Sequence, residues 1–504
     1  LDLAGYSSVV GVARDEIAPA GEGPHTSKIH LLVKQQGTMA EAEKATILAV
    51  RKELGQTAEL GHISFSSPQL FSFQNPLEVQ IKGDRLEQID ELGRRASESS
   101  ADMVTPDLTP NLATLIGQGR HFTCHRSVFP STTRTTSASI ATGCLPGRHG
   151  LEGNCVALDE GDGLVALNVG HPDFRDRLRA ATGRTLLVPT LAERLKDDGG
   201  GIVYSNVSPG AAYFQDPDGY GYLYHRDGSF GPGLERLDGL AVSHDADGDS
   251  AMTEIFCDEV LARRRPALAV LWQCEPDHTQ HAAPLGSPRH LAVMARADAN
   301  AGRVAETIKE LGNGDDILLI VASDHGHETV ERVIPLETML IESGLKEGPG
   351  SHDVVVASNG FSAHVYVADE ARGRIGDIAA FLEAAADVDR VFCGAGLAEV
   401  GHRTDTALAL TVTAKHSDAA NEFGVPGMNG AFADPLAKET RLGCGQHGGL
   451  GAYEQHPFLI VRGGGFGSGV RTDEETSAID LAPTILRHLG LPWDGVDGKP
   501  LSKN

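Results

Sequence analysis

The sequence lacks three features that would each place it in a class of proteins. No apolar run approaches the roughly 18 residues that a membrane-spanning helix needs, so we expect no association with a membrane. Basic residues are in deficit, with 43 Lys and Arg against 69 Asp and Glu among 504 residues, and the net charge of −26 argues against a nucleic-acid-binding surface. The seven cysteines are odd in number and form no Cys-x-x-Cys pair, which argues against a disulfide framework or a thiolate zinc site.

Histidine, in contrast, is plentiful and unevenly distributed. Residues 1–105 contain three of the 21 histidines, and residues 106–504 contain the other 18. Because imidazole binds metals and exchanges protons near neutral pH, this excess predicts metal or acid–base chemistry in the longer part. At roughly 150 residues per domain, the length allows two to three domains. Residue 1 is Leu rather than Met, so the absence of a signal peptide says little about location, and we expect a cytoplasmic protein, with the periplasm as the alternative.

Residues 1–105 have the pattern of a small α+β unit. The predicted elements are helices over 38–54 and 86–96 and strands over 62–66 and 77–81. The run 71–84 and the ten residues that follow it resemble a porter subdomain of resistance–nodulation–division efflux pumps. The unit contains no cluster of His, Cys or paired carboxylates at ligand spacing. Without membrane helices it cannot transport anything, and we interpret it as structural.

From about residue 106 the pattern changes to alternating strands and helices. Near-continuous apolar runs are typical of strands that are buried on both faces. Four such runs are 267–272, 317–322, 354–357 and 458–461. We therefore predict an α/β fold with a mostly parallel sheet covered by helices on both faces. In such sheets, catalytic groups gather in the loops beyond the carboxyl ends of the strands.

Polar groups of the kind that bind metals follow two of these runs. Asp277 and His281 come after the first run and lie one helical turn apart, a spacing that suits zinc and is also common at solvated helix starts. Asp324 and His325 come directly after the second run. A buried strand seldom ends in adjacent titratable groups unless they bind or react. These two segments therefore predict a metal or catalytic site.

Two further segments become informative beside these. His447 lies in the glycine-rich turn 443–450, where glycine allows close approach of the backbone. Six hydroxyl residues lie between 131 and 137, at the start of a segment with helical character. A helix N-terminus favours an anion, and a metal can convert a hydroxyl there into a nucleophile. Taken alone, each segment is most simply a structural turn or a helix cap.

Together these segments resemble the alkaline phosphatase superfamily, and within it the type I phosphodiesterase/nucleotide pyrophosphatase branch and its phosphonoacetate-hydrolase-like members. The resemblance covers about residues 107–500. Its motifs occur in the family's order: Thr109-Pro-Asn-Leu112, Pro130-Ser-Thr-Thr133, Thr142-Gly143, Pro146-Gly-Arg-His-Gly150, Glu275-Pro-Asp-His-Thr-Gln-His281, Ser323-Asp-His-Gly326, Gln446-His-Gly448 and Ile479-Asp-Leu-Ala-Pro-Thr-Ile-Leu486.

The resemblance implies a role for each matching residue. Thr133 corresponds to the nucleophile, and Asn154 to a residue that steadies a phosphoryl oxygen. Two zinc ions are implied, with these ligands: Asp277, His281 and His447 for the first, and Asp324 and His325 for the second. The implied mechanism is in-line attack by Thr133 on phosphorus and hydrolysis of the phosphothreonine, with metals stabilising the charge. Manganese or iron is an alternative for mixed Asp and His ligands.

One motif of that family is missing from the sequence. The family opens its sheet with an apolar strand ending in Asp-Gly, and this Asp ligates the second metal. No such strand occurs between residues 60 and 108: Lys82 stands where the carboxylate belongs in the nearest run, and Asp102 and Asp107 have no strand before them. We therefore expect a phosphodiesterase domain without its first strand and one metal ligand, with impaired or absent activity.

The segment 330–440, between the second and third metal motifs, is predicted to be an inserted cap that bounds the substrate pocket, with a helix near 375–385. The catalytic core is then 106–329 together with 441–504. Three histidines of the insertion are interpreted as structural or surface groups: His352, His364 and His416. Lys415 and Arg134 are candidate contacts for a substrate anion, weighed against the same structural interpretation.

The leading hypothesis from the sequence is a zinc-dependent hydrolase of small phosphodiester or phosphonate substrates. Hydrolysis of phosphonoacetate or of phosphomonoesters on the same scaffold stays open. A sulfatase is disfavoured, because the Cys-x-Pro-Ser-Arg motif is absent and Thr133 occupies that position. The alternative from a different class is a catalytically impaired or binding-only protein. The sequence leaves the oligomeric state open.

Overall fold

The structure is a computed structural model. It describes the backbone of four strands within residues 1–103, and then residues 104–312, 316–433 and 441–503. The chain divides into two compact units: 1–103 with 418–426, and 104–417 with 427–504. In the parts of the chain that the structure describes, no helix has both the length and the apolar character needed to cross a membrane.

The first unit contains an antiparallel sheet. Its strands are β1 (Leu3–Val10), β2 (Thr26–Val33), β3 (Ile63–Ser66) and β4 (Leu77–Lys82). They are ordered β1-β2-β4-β3. The two strands predicted here are confirmed as β3 and β4. The predicted helices over 38–54 and 86–96 lie outside the described residues, and the resemblance to an efflux porter stays a prediction.

The rest of the chain alternates strands and helices. The strands are β5 (Arg120–Arg126), β6 (Cys155–Asp159), β7 (Leu164–Asn168), β8 (Gly201–Ser205), β9 (Tyr222–His225), β10 (Ser229–Phe230), β11 (Arg236–Leu237), β12 (Leu268–Trp272), β13 (Leu319–Ala322), β14 (Glu328–Ile334), β15 (Val354–Ser358), β16 (Ser362–Val367), β17 (Val388–Cys393), β18 (Leu408–Ala414), β19 (His416–Ala420), β20 (Pro426–Phe432), β21 (Gly445–Gln446), β22 (Leu459–Arg462) and β23 (Val470–Ser477).

The helices are α1 (Pro110–Gln118), α2 (Thr133–Thr142), α3 (Pro146–His149), α4 (Phe174–Thr182), α5 (Leu191–Arg194), α6 (Pro209–Tyr213), α7 (Ala246–Ile255), α8 (Asp277–Gln280), α9 (Pro288–Glu310), α10 (Leu336–Glu342), α11 (Ile375–Glu383), α12 (Gly396–Glu399) and α13 (Leu481–His488). A π-helical stretch, Phe256–Arg264, continues α7. The helix predicted near 375–385 is confirmed as α11, and the closing motif of the sequence forms α13.

All four apolar runs form strands, namely β12, β13, β15 and β22, and the fold is α/β as predicted. In the sheet β11-β10-β9-β8-β12, strands β9, β8 and β12 are parallel. In the sheet β13-β22-β5-β23, strands β5 and β23 are parallel, but β22 is antiparallel to both of its neighbours. Parallel and antiparallel pairing therefore occur side by side.

Strand β15 shows why apolarity alone does not indicate strand direction. All five of its residues are buried, yet it belongs to the antiparallel sheet β15-β16-β18-β17. Val354 and Val356 pack with α10 and α11, whereas Val355 and Ala357 pack against the hairpin of β6 and β7. A strand covered on both faces is apolar along its whole length, whatever the direction of its neighbours.

Strands β12 and β13 are among those that have an edge without a partner among the described strands. β12 pairs with β8, and β13 pairs with β22. Although β12 is apolar, each of its residues is partly exposed, whereas the neighbouring β8 is buried throughout. The residues of β13 are also partly or fully exposed. An apolar strand with an open edge presents backbone groups that can pair with a further strand.

The Thr109-Pro-Asn-Leu112 motif begins helix α1, which is anchored by a carboxylate from another helix. Asp298, on α9, accepts hydrogen bonds from the backbone N–H groups of Asn111 (3.1 Å) and Leu112 (2.7 Å). These are two of the donors that a helix leaves unpaired at its N-terminus. The negative charge also interacts favourably with the helix dipole, so Asp298 ties α1 to α9.

Candidate active site

Residues from three loops meet at one place: the loop after β12, the loop after β13, and the turn between β21 and β22. We refer to them as the histidine–aspartate cluster: Asp277, His281, Asp324, His325, His327 and His447. Five of the six are residues that the sequence resemblance assigns to two metals. The structure brings these five together, and their role as ligands stays a prediction.

Asp277 and His281 are positioned by the short helix α8. Asp277 is its first residue and His281 follows its last, so the predicted one-turn spacing places Asp277 Oδ1 3.3 Å from His281 Nε2. The loop before the helix is held by the buried Asp249, whose carboxylate accepts hydrogen bonds from the backbone N–H groups of Cys274 (3.1 Å) and Glu275 (2.9 Å). Sequence analysis missed Asp249, because it lies on α7 and has no recognisable spacing to the cluster.

His447 reaches the cluster from the glycine-rich turn. Its Nε2 lies 3.2 Å from His281 Nε2 and 3.7 Å from Asp277 Oδ1. Its Nδ1 donates a hydrogen bond to the carbonyl oxygen of Ser131 (2.8 Å), so the lone pair of Nε2 points into the cluster. A neutral imidazole in this orientation has the form of a metal ligand.

Thr133 lies beside Asp324 and His325. It is the first residue of α2, at a helix N-terminus as the hydroxyl-rich segment predicted. His325 Nδ1 donates to the carbonyl oxygen of Gly326 (3.0 Å), so His325 Nε2 accepts a hydrogen bond from the Thr133 hydroxyl (3.0 Å). Asp324 Oδ2 is 3.3 Å from the same Nε2. The hydroxyl therefore lies at the edge of the cluster, in contact with a candidate ligand.

His327 is a member of the cluster that the sequence analysis missed. Its side chain is buried, and its Nε2 lies 3.0 Å from Asp277 Oδ1. Donor atoms of Asp277, His325, His327 and His447 all lie within 4.8 Å of one another. Residues two apart in a loop have no fixed relative orientation, so only the folded chain shows that both histidines of the Ser323-Asp-His-Gly-His327 run face Asp277.

The donor atoms of the cluster fit a bound metal cation. Three buried atoms of the cluster have no hydrogen-bond partner among the described residues: Asp277 Oδ1, Asp324 Oδ2 and His327 Nε2. Leaving a buried polar atom unpaired costs about 1–3 kcal/mol, and more for a charged group. Carboxylate oxygens and imidazole nitrogens are ligands that zinc accepts. A cation bound beside Asp277 Oδ1 and His327 Nε2, which lie 3.0 Å apart, would satisfy both of these atoms.

Burial and mutual contacts set the protonation of the cluster. Burial lowers the pKa of His281 and lowers that of His327 to about 3. Burial, with the neighbouring His325 and His281, holds the pKa of His447 well below its ordinary value. Burial alone would raise the pKa of Asp277, but contacts with His281 and His327 hold it well below its ordinary value. An ionised carboxylate and neutral imidazoles are the forms that bind a metal.

Glu454 fixes the loop that precedes α2. Its Oε2 accepts hydrogen bonds from the Ser131 hydroxyl (2.8 Å) and from the backbone N–H of Gly449 (2.8 Å). Burial, together with the neighbouring Glu328, raises the pKa of Glu454 to about 8. The bonds of Glu454 connect the loop before Thr133 to the turn that carries His447. Sequence analysis missed this residue, because Ser131 is 323 positions away.

Asn154 lies next to the start of α2. Its Oδ1 accepts a hydrogen bond from the backbone N–H of Arg134 (3.0 Å), which leaves its Nδ2 group to donate elsewhere. Its own backbone N–H donates to Oδ1 of Asn359 (2.6 Å). Asn359 belongs to the segment 330–440, which is predicted to be an inserted cap, so this segment contacts the candidate site. A Cβ at Gly448, whose φ is +106°, would lie 1.7 Å from the carbonyl oxygen of Asn359, so this close approach requires glycine.

The remaining candidates of the sequence analysis lie outside the cluster. His364 is buried and bonded to the Thr411 hydroxyl (2.9 Å) and the Glu152 carbonyl oxygen (2.8 Å), as expected of a structural histidine. The guanidinium of Arg134 donates to the Ser208 hydroxyl (3.1 Å). Four candidates are exposed: Asp107, His352, Lys415 and His416. Asp102 lies outside the described residues.

An α/β fold that brings a hydroxyl against a cluster of imidazoles and carboxylates is typical of metal-dependent hydrolases. The model of the type I phosphodiesterase/nucleotide pyrophosphatase family matches residues 99–413, and the chain belongs to this family of phosphodiester hydrolases. The match includes the loop before Thr133 and the loops that carry Asp277 and Asp324. It ends before His447, which the structure brings beside His281 in the cluster.

Solved structures of similar fold include murine ectonucleotide pyrophosphatase/phosphodiesterase 5, which is 18% identical with a TM-score of 0.57, over 78% of this chain and 92% of that one. An inactive threonine-to-alanine variant of the murine protein, in complex with AMP, is 18% identical with a TM-score of 0.57, over 79% and 96%. The human counterpart is 16% identical with a TM-score of 0.57, over 78% and 92%. No curated protein sequence matches the chain.

Proposed function

We propose that this chain hydrolyses a phosphodiester or phosphonate substrate, with Thr133 as the nucleophile and zinc held by the histidine–aspartate cluster. The observation that carries the proposal is the hydrogen bond from the Thr133 hydroxyl to His325 Nε2 (3.0 Å), at the N-terminus of α2. This contact supports the proposal, because it holds the Thr133 hydroxyl beside a candidate metal ligand.

The proposed chemistry begins with Thr133. Its hydroxyl releases its proton to solvent as its oxygen forms a bond to phosphorus in line with the leaving group, which departs with the electrons of the bond that breaks and takes up a proton from solvent. Water then hydrolyses the phosphothreonine and regenerates the hydroxyl. Negative charge on the phosphoryl oxygens is stabilised by the N-terminus of α2 and by Asn154, whose Nδ2 group is available to donate.

Two groups of residues would hold the metals. Asp277, His281 and His447 form the first, and Asp324 and His325 the second. Bound zinc supplies positive charge that lowers the pKa of a hydroxyl and stabilises the phosphoryl oxygens. Neutral imidazoles and carboxylates favour zinc, with manganese or iron as alternatives.

The proposed substrate class takes support from the structural relatives. The murine protein binds AMP in its inactive threonine-to-alanine variant, which supports a threonine nucleophile and a nucleotide-like phosphate ester. A phosphonate substrate, including phosphonoacetate, rests on the sequence resemblance. The two substrate classes differ in the leaving group.

A catalytically impaired or binding-only protein is the second candidate, and specific observations favour it. Strands β12 and β13 both lead to the cluster, and each has an edge without a partner among the described strands. Within the described residues, the cluster contains two carboxylates, Asp277 and Asp324. An apolar strand that ends in Asp-Gly and supplies a further carboxylate is the feature that the family resemblance implies and that residues 60–108 lack. Without it, the group of Asp324 and His325 would bind metal weakly.

One assay panel decides between the two candidates. The substrates are a nitrophenyl phosphodiester, a nitrophenyl phosphomonoester and phosphonoacetate, each assayed with and without a chelator. The expected result is chelator-sensitive turnover that Thr133→Ala lowers by about a thousandfold or more. Thr114→Ala, at an exposed threonine of α1, is the matched control and should retain full turnover. Absence of chelator-sensitive turnover on every substrate would favour the binding-only protein, and turnover that survives Thr133→Ala would remove the nucleophile assignment.

A further inference from the structure

We propose that His244, Cys274 and His278 form a second metal site, separate from the histidine–aspartate cluster and specific for a borderline-soft divalent ion such as zinc. One ligand atom from each residue lies within 4.8 Å of the other two. Two imidazoles and one thiolate are a donor set that zinc and cobalt accept readily. The absence of a Cys-x-x-Cys pair argues against a site built from two neighbouring thiolates. A site with one cysteine and two histidines needs no such pair.

The backbone places these side chains on one surface. The backbone N–H of His278 donates to the carbonyl oxygen of Cys274 (3.0 Å), so the chain turns back on itself here and brings the ligand atoms of the two residues within 4.8 Å of each other. His244 lies just before α7, and its ring stacks on that of His278, with centroids 4.4 Å apart and an interplanar angle of 23°. Asp277, next to His278 in the chain, faces the histidine–aspartate cluster instead. The two sites therefore use opposite sides of one turn.

Carboxylates lie beside two of the three ligands. The buried Cys274 thiol donates to Asp249 Oδ2 (3.4 Å), and Glu275 Oε1 lies 3.7 Å from His278 Nδ1. Carboxylates that contact metal ligands in this way orient them and raise their basicity. Metal binding would release the thiol proton to solvent and form one bond from sulfur to the ion. Both histidines are exposed, so an ion can reach the site from solvent.

The proposed ion would link the start of α7 to the loop that carries Asp277. Asp249 already joins the same two segments through the backbone N–H groups of Cys274 and Glu275. The ion would add a second connection at the base of the loop. We therefore infer that it stiffens the loop, and that it does so without contacting the substrate.

Cobalt titration of the full chain tests this site directly. The histidine–aspartate cluster offers oxygen and nitrogen, so only a thiolate ligand gives a sulfur-to-cobalt charge-transfer band in the near ultraviolet. The expected result is a band that saturates at one Co²⁺ per chain and is absent in Cys274→Ser. His244→Gln, which changes an exposed side chain and leaves the core intact, should weaken the binding that produces the band by about tenfold or more.

Two control variants complete the test. Cys393→Ser, at another free cysteine, and His447→Gln, in the histidine–aspartate cluster, should both keep the band. No band in the unmodified chain, or a band that survives Cys274→Ser, would overturn the proposal. Because the band is read without substrate, this outcome is independent of whether Thr133 proves to be a nucleophile.

Discussion

The two halves of the histidine–aspartate cluster differ in how completely they are built. In the first half, Asp277 Oδ1, His281 Nε2 and His447 Nε2 lie 3.2–3.7 Å from one another. In the second half, a single carboxylate, Asp324, accompanies His325. Contacts with histidines keep Asp277 ionised, whereas burial raises the pKa of Asp324. The first half is therefore the more complete of the two proposed ligand sets, whereas the second has one carboxylate that burial makes harder to ionise.

This difference follows from the strands that carry the two halves. The first half depends on the loop after β12 and on the turn before β22, both fixed by buried carboxylates, Asp249 and Glu454. The second half depends on the loop after β13, a strand that, like β12, has an open edge among the described strands. Loss of a neighbouring strand would remove a ligand from the second half and leave the first half intact. The predictions below test this contrast.

The largest expected effect is on metal affinity when a carboxylate is removed from each half. Asp277→Asn should weaken the tighter zinc site by about a hundredfold or more, because it removes the ionised ligand. Asp324→Asn should leave that site unchanged and abolish the weaker one. Isothermal titration of the metal-free variants with zinc measures both. Equal weakening of the tight site by the two variants would contradict the contrast.

A smaller effect is expected when the support of the first half is altered. Asp249→Asn replaces one of the oxygens that accept the backbone N–H groups of Cys274 and Glu275, and should lower the affinity of the tight site by roughly ten- to a hundredfold. Asp298→Asn is the matched control, because Asp298 also accepts two backbone N–H bonds but lies away from the cluster. It should reduce thermal stability without changing zinc affinity. A control variant that loses zinc as readily as Asp249→Asn would refute the assigned support.

Metal removal should destabilise the fold. An ion that binds only the folded chain adds about 2.7 kcal/mol to the free energy of unfolding at a concentration of 100 times its Kd. Chelation should therefore lower the Tm, and Asp277→Asn should abolish most of the difference. Differential scanning calorimetry, with and without chelator, measures it. A Tm that the chelator leaves unchanged would contradict tight metal binding by Asp277, His281 and His447.

The smallest effect concerns pH. Burial and Glu328 raise the pKa of Glu454 to about 8, so the folded chain holds a proton that the unfolded chain releases at lower pH. The stability from this group is fully present below the unfolded pKa and is lost as pH rises towards 8, at up to about 1.4 kcal/mol per pH unit. Glu454→Gln should flatten this decline in the free energy of unfolding, measured by urea titration between pH 5 and 9. Glu475→Gln, at an exposed position, should not, and an unchanged slope in Glu454→Gln would refute the protonated state.

The sequence predicted those parts of the site that depend on local spacing. Asp277 and His281 lie one helical turn apart, and Thr133 begins a helix, because both arrangements follow from helix geometry over a few residues. The apolar runs predicted strands for the same reason. Motif order added His447, which no local pattern would have joined to the others.

The missed residues act over long distances or through loop geometry. Asp249, Glu454 and Asn359 hold site residues through contacts that no periodicity marks, and His327 depends on the turn at Gly326. The sequence also did not predict strand direction, because the apolar strands β15 and β22 pair antiparallel with their neighbours. The division into a core and an inserted cap and the cytoplasmic location stay predictions.

Zinc titration of the metal-free chain tests the central claim most directly. The titration uses the Cys274→Ser variant, which removes the proposed site of His244, Cys274 and His278. Zinc binding then reports only on the histidine–aspartate cluster. The account predicts one tight zinc per chain and a second that binds about a hundredfold more weakly, with turnover that follows occupancy of the second. Two zinc ions of equal, tight affinity with full turnover would contradict it, because the second half would then need no further carboxylate.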